Sequence, residues 1–393
     1  MFSQNPVFIP GPTNIPDAIR KACDIATIDH RSPAFGRMFT PAVAGVRRVL
    51  GMGAGAGSGE VIILPSTGTG GWEAAISNTL SPGDTVLAAR FGMFSHRWID
   101  MCQRHALNVE IIETPWGQGA PLAAIGAALQ ADRDHRIKVV LATHNETATG
   151  VKSDIAGIRR AMDAAGHPAL LYVDGVSSIG SMPFDMAGWG VDIAIAGSQK
   201  GFMLPVGLAI LGLSPRALAA MATARLPRTF FDFNDMLRSN AAGGFPYTPP
   251  VGLIAGLAAA IAMLEDEGLD AVYARHHRLA DGVRRAVAAW GMRPCAVSPE
   301  LYSDTITAVM VPAGCNGTDL VQLAASKYGV AFGVGLGEVA GKVFRIGHLG
   351  MLTDVMMLSG LACAEMCMAD LGWPVTLGSG VAAAQDHYRR TAA

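Results

Sequence analysis

Three short segments carry residue types that could do chemistry together. Gly197-Ser198-Gln199-Lys200-Gly201 sets a lysine directly after the apolar run 193–196. A lysine in such a place is almost never fully buried unless it is paired or chemically used, and one with a lowered pKa serves as a Schiff-base amine. Leu170-Leu171-Tyr172-Val173-Asp174 ends a second apolar run on a carboxylate. Pro65-Ser66-Thr67-Gly68-Thr69-Gly70-Gly71 follows a third run, 61–64, and leads into a helical pattern that starts near Trp72. A small-residue turn at a helix start leaves N–H groups unpaired at the positive end of the dipole. With threonine hydroxyls added it makes a phosphate cradle, and it lacks the lysine of a nucleoside-triphosphate loop. Taken singly, each segment has a plainer reading: N-capping by Thr69, a turn cap at Asp174, a solvated loop lysine at Lys200. Taken together, an amine, a carboxylate and a phosphate cradle match pyridoxal phosphate (PLP). That cofactor needs a lysine for its Schiff base and a carboxylate to keep its pyridine nitrogen protonated.

The elements around these segments should bring them together. Short β-rich runs at 61–64, 85–89, 109–113, 139–142, 170–174, 193–196 and 208–212 alternate with helical patterns such as 72–80, 94–105 and 155–165. Near-continuous apolar strands alternating with helices predict an α/β fold with a mostly parallel, doubly covered sheet. Sites in such sheets lie at the carboxyl ends of strands, where all three segments fall. A second pattern begins near Glu265-Asp266-Glu267-Gly268, with a long helix to Trp290, strands at 305–312 and 343–346, and a helix near 320–328. The expected division is an N-terminal arm (1–20), a large domain (21–267) and a smaller α+β domain (268–393). Gly53-Ala54-Gly55-Ala56-Gly57-Ser58-Gly59 follows a helical stretch and precedes a strand. That is the reverse of a dinucleotide-binding order, so it reads as a connector.

Composition excludes several classes. Of 393 residues 50% are hydrophobic and 16% charged, which fits a folded chain that buries a large core. A net charge of −2 without a basic block argues against nucleic acid or anionic lipid as partner. The richest apolar run, 253–264, is too short to span a bilayer and reads as a buried helix. Six scattered cysteines, with no Cys-x-x-Cys, read as reduced thiols, and no metal site is expected. The first residues lack a secretory pattern and the last a peroxisomal one, which makes the cytoplasm the expected location.

Beyond these segments the chain resembles a known family nearly throughout. Pro10-Gly11-Pro12-Thr13-Asn14-Ile15-Pro16, Asn78-Thr79-Leu80-Ser81-Pro82-Gly83-Asp84, His144-Asn145-Glu146-Thr147-Ala148-Thr149-Gly150, Phe245-Pro246-Tyr247-Thr248-Pro249 and Gly341-Lys342-Val343-Phe344-Arg345-Ile346-Gly347-His348-Leu349-Gly350 occur in order. This set resembles the class V, fold-type-I PLP aminotransferases, in the serine–glyoxylate and alanine–glyoxylate branch. The closing Leu377-Gly378-Ser379-Gly380-Val381-Ala382-Ala383-Ala384 looks most like the serine–glyoxylate members.

The resemblance implies roles. Lys200 would hold PLP and move the α-proton, and Asp174 would pair with the pyridine nitrogen. Thr67, Gly68, Thr69 and Gln199 would bind the phosphate, Thr147 would lie on the ring-hydroxyl side, and Phe94 would stack on the ring. Tyr247 and Thr248 would reach the phosphate in the neighbouring subunit of a homodimer. Arg345 would hold the substrate α-carboxylate, a task suited to a planar bidentate donor. The implied reaction moves the amino group of a small L-amino acid to glyoxylate, giving glycine and a 2-oxo acid. Among donors the reading leans to L-serine, with L-aspartate the alternative, and L-alanine or a PLP lyase behind it. Aspartate would need a second cation, for which Arg31, Arg225 and Arg228 are candidates. A desulfurase-type lyase would need a loop cysteine, and Cys315 is the formal candidate.

Overall fold

Seven strands of the large domain form one sheet, and each of the seven β-rich runs read between 61 and 212 supplies one of them. The computed structural model describes residues 6–53, 55 and 57–391; the first five residues of the arm, two alanines of the glycine-rich stretch and the last two residues lie outside it. In chain order the strands are β1 (Glu60–Pro65), β2 (Thr85–Arg90), β3 (Asn108–Glu113), β4 (Ile137–Thr143), a short hairpin of β5 (Asn145–Glu146) and β6 (Val151–Lys152), then β7 (Leu170–Asp174), β8 (Ile193–Gly197) and β9 (Leu208–Leu213). The sheet order is β1-β9-β8-β7-β4-β2-β3. Only β9 runs against its neighbours, while β8, β7, β4, β2 and β3 are parallel. Two antiparallel pairings in succession leave β1 parallel to β8. The carboxyl ends of β1, β4, β7 and β8 therefore open on one edge.

Both faces of the sheet are covered, which is why its inner strands read as nearly unbroken apolar runs; the edge strand β3 is only half-buried. Alternate residues point to opposite faces: Val61 and Ile63 enter one core with helices Pro33–Val49 and Val251–Glu267, whereas Ile62 and Leu64 enter the other with helices Gly68–Thr79 and Met93–Arg104. The helix over the 253–264 run has six buried residues, five of which enter the first core. Among the described residues no helix is long and apolar enough to cross a membrane.

The smaller domain is α+β. Strands β10 (Arg293–Pro294), β11 (Ile306–Met310), β12 (Gly333–Val334) and β13 (Val343–Gly347) form an antiparallel sheet ordered β10-β11-β13-β12. Its core holds Val283, Leu320, Phe344 and Leu361, with helices Leu269–Ala289, Asp354–Asp370 and Ser379–Thr391 around it. The arm is stitched to this domain: Phe8 sits in its core beside Phe332, ring centroids 5.9 Å apart. All six cysteines are free thiols, and four of them are buried.

Candidate active site

The shared edge of the sheet opens into a cavity of about 260 Å³ lined by Gly11, Pro12, Thr67, Gly68, Thr69, Trp72, Phe94, Thr147, Asp174, Val176, Ser177, Gln199, Lys200 and Val206. Eight of the residues singled out from the sequence meet here. Arg345, Tyr247 and Thr248 do not line it.

Asp174 is the last residue of β7 and is buried, 5% exposed. Its Oδ1 accepts from the Val176 N–H at 2.9 Å. Burial pushes its pKa up to about 7, the Glu146 carboxylate adds to the rise, and the Val176 N–H, the Trp72 indole and Lys200 pull against it. Lys200 follows the end of β8 and is partly buried. Burial lowers its pKa to about 8, helped by the positive charge of Arg345 and opposed by Asp174. A neutral amine is thus accessible near neutral pH, as nucleophilic attack requires. The lysine Nζ donates to the Pro10 carbonyl, and the Thr13 N–H donates to the Gln199 carbonyl at 3.1 Å. The arm passes so close that a side chain at Gly11, φ +107°, would overlap Lys200.

The loop after β1 starts its helix at Gly68, one residue before the threonine weighed as a cap. Thr67 is the N-cap residue, and its hydroxyl makes no capping bond. Thr67 and Thr69 are both exposed, which leaves their hydroxyls and the first-turn N–H groups free for an anion. Gly68 is required by packing, since a side chain there would overlap Val176. Gln199 Oε1 and Trp72 Nε1 are buried with no hydrogen-bond partner meeting ordinary geometry. Buried orphans of this kind are rare and want a ligand. Amine, acid, anion cradle, apolar wall and orphaned polar atoms fit PLP.

Thr147 Oγ1 donates to Ser177 Oγ at 2.7 Å, and Ser177 in turn donates to the Asn145 carbonyl at 3.0 Å. Phe94 lies in the first turn of its helix with the Arg97 guanidinium over its ring, 5.5 Å from the centroid. Arg345, on β13 and 7% exposed, donates from Nε to the Val334 carbonyl at 2.7 Å and from Nη1 to the Thr147 carbonyl at 2.9 Å. Nη2 makes no hydrogen bond to any of the described residues. Burial lowers its pKa to about 10, against the pull of Glu146, so it stays cationic.

Tyr247 stacks on the exposed Phe230 at 5.3 Å, with its hydroxyl 3.4 Å from Asp235, and Thr248 is exposed. Of the three arginines weighed for a second carboxylate, Arg31 and Arg225 are exposed, and Arg228 is spent on the Ser77 carbonyl and Asp232. Cys315 lies in the loop between β11 and helix Gly317–Leu323, outside the cavity. His144 is buried against Phe184 and Trp189 and bonds Ser178, with burial lowering its pKa to about 3.

Trp72, Val176, Ser177 and Val206 received no role from the sequence. Trp72 carried a signal as the aromatic opening the helix behind the phosphate loop, and Val176 and Ser177 lie in the family-like segment 173–178 that runs on from Asp174.

The aminotransferase class-V family model matches residues 8–340. An L-aspartate–glyoxylate aminotransferase of Paracoccus denitrificans is 66% identical over 393 residues, covering 100% of this chain and 98% of that one. A serine–glyoxylate aminotransferase of Hyphomicrobium methylovorum is 51% identical over 98% of this chain and 95% of its own. The solved pyridoxamine–pyruvate aminotransferase of Mesorhizobium loti superposes with a TM-score of 0.90 at 30% identity, covering 98% of this chain and 97% of that one. With the fold, the cavity and these relatives in agreement, the chain belongs to the class-V aminotransferases and is a PLP-dependent enzyme.

Proposed function

We propose that the enzyme transfers the amino group of L-aspartate to glyoxylate, giving oxaloacetate and glycine. The observation that carries this reading is the 66% identity, end to end, with an L-aspartate–glyoxylate aminotransferase, against 51% for a serine–glyoxylate relative. The aspartate alternative thus displaces the sequence-based lean toward serine.

PLP, when bound, supplies an electron sink for the substrate carbanion. In our reading Thr67, Gly68, Thr69 and Gln199 hold its phosphate and Phe94 covers its ring. Thr147 stands by the ring hydroxyl, and Asp174 holds the proton on the pyridine nitrogen. Lys200 carries the cofactor and then accepts and returns the α-proton through Nζ. Its depressed pKa makes that exchange cheap near neutral pH. Arg345 binds the α-carboxylate of donor and acceptor in turn. Asp174 becomes fully ionised once it faces a pyridinium, because an adjacent positive charge lowers a carboxyl pKa.

Tyr247 and Thr248 act on the phosphate in the other protomer of a homodimer, which their distance from their own chain's cavity favours. The domain division belongs at Gly268, between the helix that packs on the large domain and the one that enters the small domain's core.

The two half-reactions test the substrate assignment. L-Aspartate should bleach the visible band of the PLP-loaded enzyme, and glyoxylate should restore it. Bleaching by L-serine far faster than by L-aspartate would reverse the donor. Restoration by pyruvate or 2-oxoglutarate but not glyoxylate would reverse the acceptor.

A further inference from the structure

Glu146 is 0% exposed and lies next to the cavity without lining it. Its carboxylate makes no ion pair among the described residues; it is satisfied by backbone instead. Oε1 accepts from the Phe94 N–H at 3.3 Å and the Ala148 N–H at 3.1 Å, and Oε2 from the Phe94 and Ser95 N–H groups at 3.1 and 3.0 Å. Gly92, just before that helix, has no side chain to obstruct it; a Cβ there would overlap the carboxyl group. The glutamate's own carbonyl accepts from the Thr149 and Gly150 N–H groups at 3.2 and 2.9 Å, closing the turn that carries Thr147. The Thr147 carbonyl is in turn the acceptor for Arg345 Nη1.

A buried carboxylate outside an ion pair is costly unless fully hydrogen-bonded; burial raises the pKa of Glu146, and the Ser95, Ala148 and Phe94 N–H groups pull it back down. A neutral side chain would cap a helix at lower cost, so the charge asks for another explanation. Here one carboxyl group faces two elements at once: Oε2 accepts only from the Phe94 helix, while Oε1 bridges that helix and the Ala148 N–H of the Thr147 turn. Glutamine cannot do this, because its NH₂ would face one of those N–H donors.

Resting on the PLP reading above, we infer that Glu146 is a positioning residue for the cofactor and substrate contacts. It clamps the helix of Phe94 to the turn of Thr147 and, through that turn's carbonyl, holds Arg345 in register. One buried group thus sets the spacing between the ring-stacking face, the ring-hydroxyl contact and the α-carboxylate contact.

The test compares Glu146→Gln and Glu146→Asp with the wild type. Each protein is stripped of PLP and titrated with it, and is then assayed loaded for KM and kcat, with Tm measured alongside. For Glu146→Gln the PLP Kd and the KM of both substrates should rise about tenfold, the size of one displaced charged hydrogen bond. kcat should fall less than about threefold, because Lys200 and Asp174 are untouched; Glu146→Asp should lie between Gln and wild type. A Glu146→Gln protein with PLP Kd and both KM values within about twofold of wild type, and only Tm lowered, would leave Glu146 as a structural cap and overturn the inference. Should Glu146→Gln fail to fold, the folded Glu146→Asp protein decides by the same two readouts. Failure of the wild type itself to take up PLP would instead sink the cofactor reading.

Discussion

Arg345 and Thr147, 198 residues apart, are joined by a 2.9 Å hydrogen bond from the guanidinium Nη1 to the threonine carbonyl. The bond ties the small domain's β13 to the turn beyond β4 of the large domain. A second bond to the Val334 carbonyl fixes the guanidinium plane and leaves Nη2 uncommitted. In the proposed role of α-carboxylate ligand, Arg345 is oriented before substrate arrives, which lowers the entropy cost of binding.

Arg345→Lys should therefore raise KM for both amino donor and oxo acceptor by about 10- to 100-fold, as expected from losing a charged hydrogen bond. Lysine keeps the charge but loses the planar fork and both anchoring bonds. Steady-state kinetics with each substrate varied in turn checks this; an effect confined to one substrate would mean that the two carboxylates use different subsites.

Asp174→Asn should retain PLP while kcat falls by about 10²- to 10³-fold, the range for removing one preorganised electrostatic group. The amide can still accept from the Val176 N–H, so the fold is kept, but it cannot hold a proton on the pyridine nitrogen. Normal turnover in this variant would remove Asp174 from the mechanism.

The Lys200 amine should titrate near pH 8 in the PLP-free protein, where burial and Arg345 place it, so uptake of PLP should accelerate through that pH. Because the folded pKa lies below the unfolded value, the unfolded chain binds more protons between about pH 8 and 10.4, and this group makes stability rise with pH across that window. Lys200→Ala should cancel that contribution and end turnover. Stopped-flow mixing and thermal melts at stepped pH measure both. An uptake midpoint above pH 10 would contradict the burial argument.

How far the sequence could be read follows from what each feature depends on. The inner strands of the large sheet were visible because burial on both faces makes them nearly unbroken apolar runs, whereas the edge strand β3, only half-buried, was marked by its β-branched residues around Glu110. Lys200, Asp174 and the Thr67 loop were visible because strand ends put polar residues beside such runs. The return of the arm to Lys200 was not, since Gly11 reveals its role only when a Cβ is seen to overlap the lysine. Nor was Glu146: a carboxylate in a polar tetrad looks solvated until its four backbone contacts are seen. The reach of Arg345 across to Thr147 depends on how two domains meet, which no local pattern encodes. Tyr247 and Thr248 stand apart from the cavity of their own chain, so their proposed role rests on the second protomer of the proposed homodimer.

The most direct test of the central claim is chemical. Treating the PLP-loaded enzyme with borohydride and mapping the peptides should place the phosphopyridoxyl group on Lys200 alone among the six lysines of the chain. Prior addition of L-aspartate should abolish that labelling, and subsequent glyoxylate should restore it. Label on any other lysine, or label on Lys200 that neither substrate alters, would contradict the account.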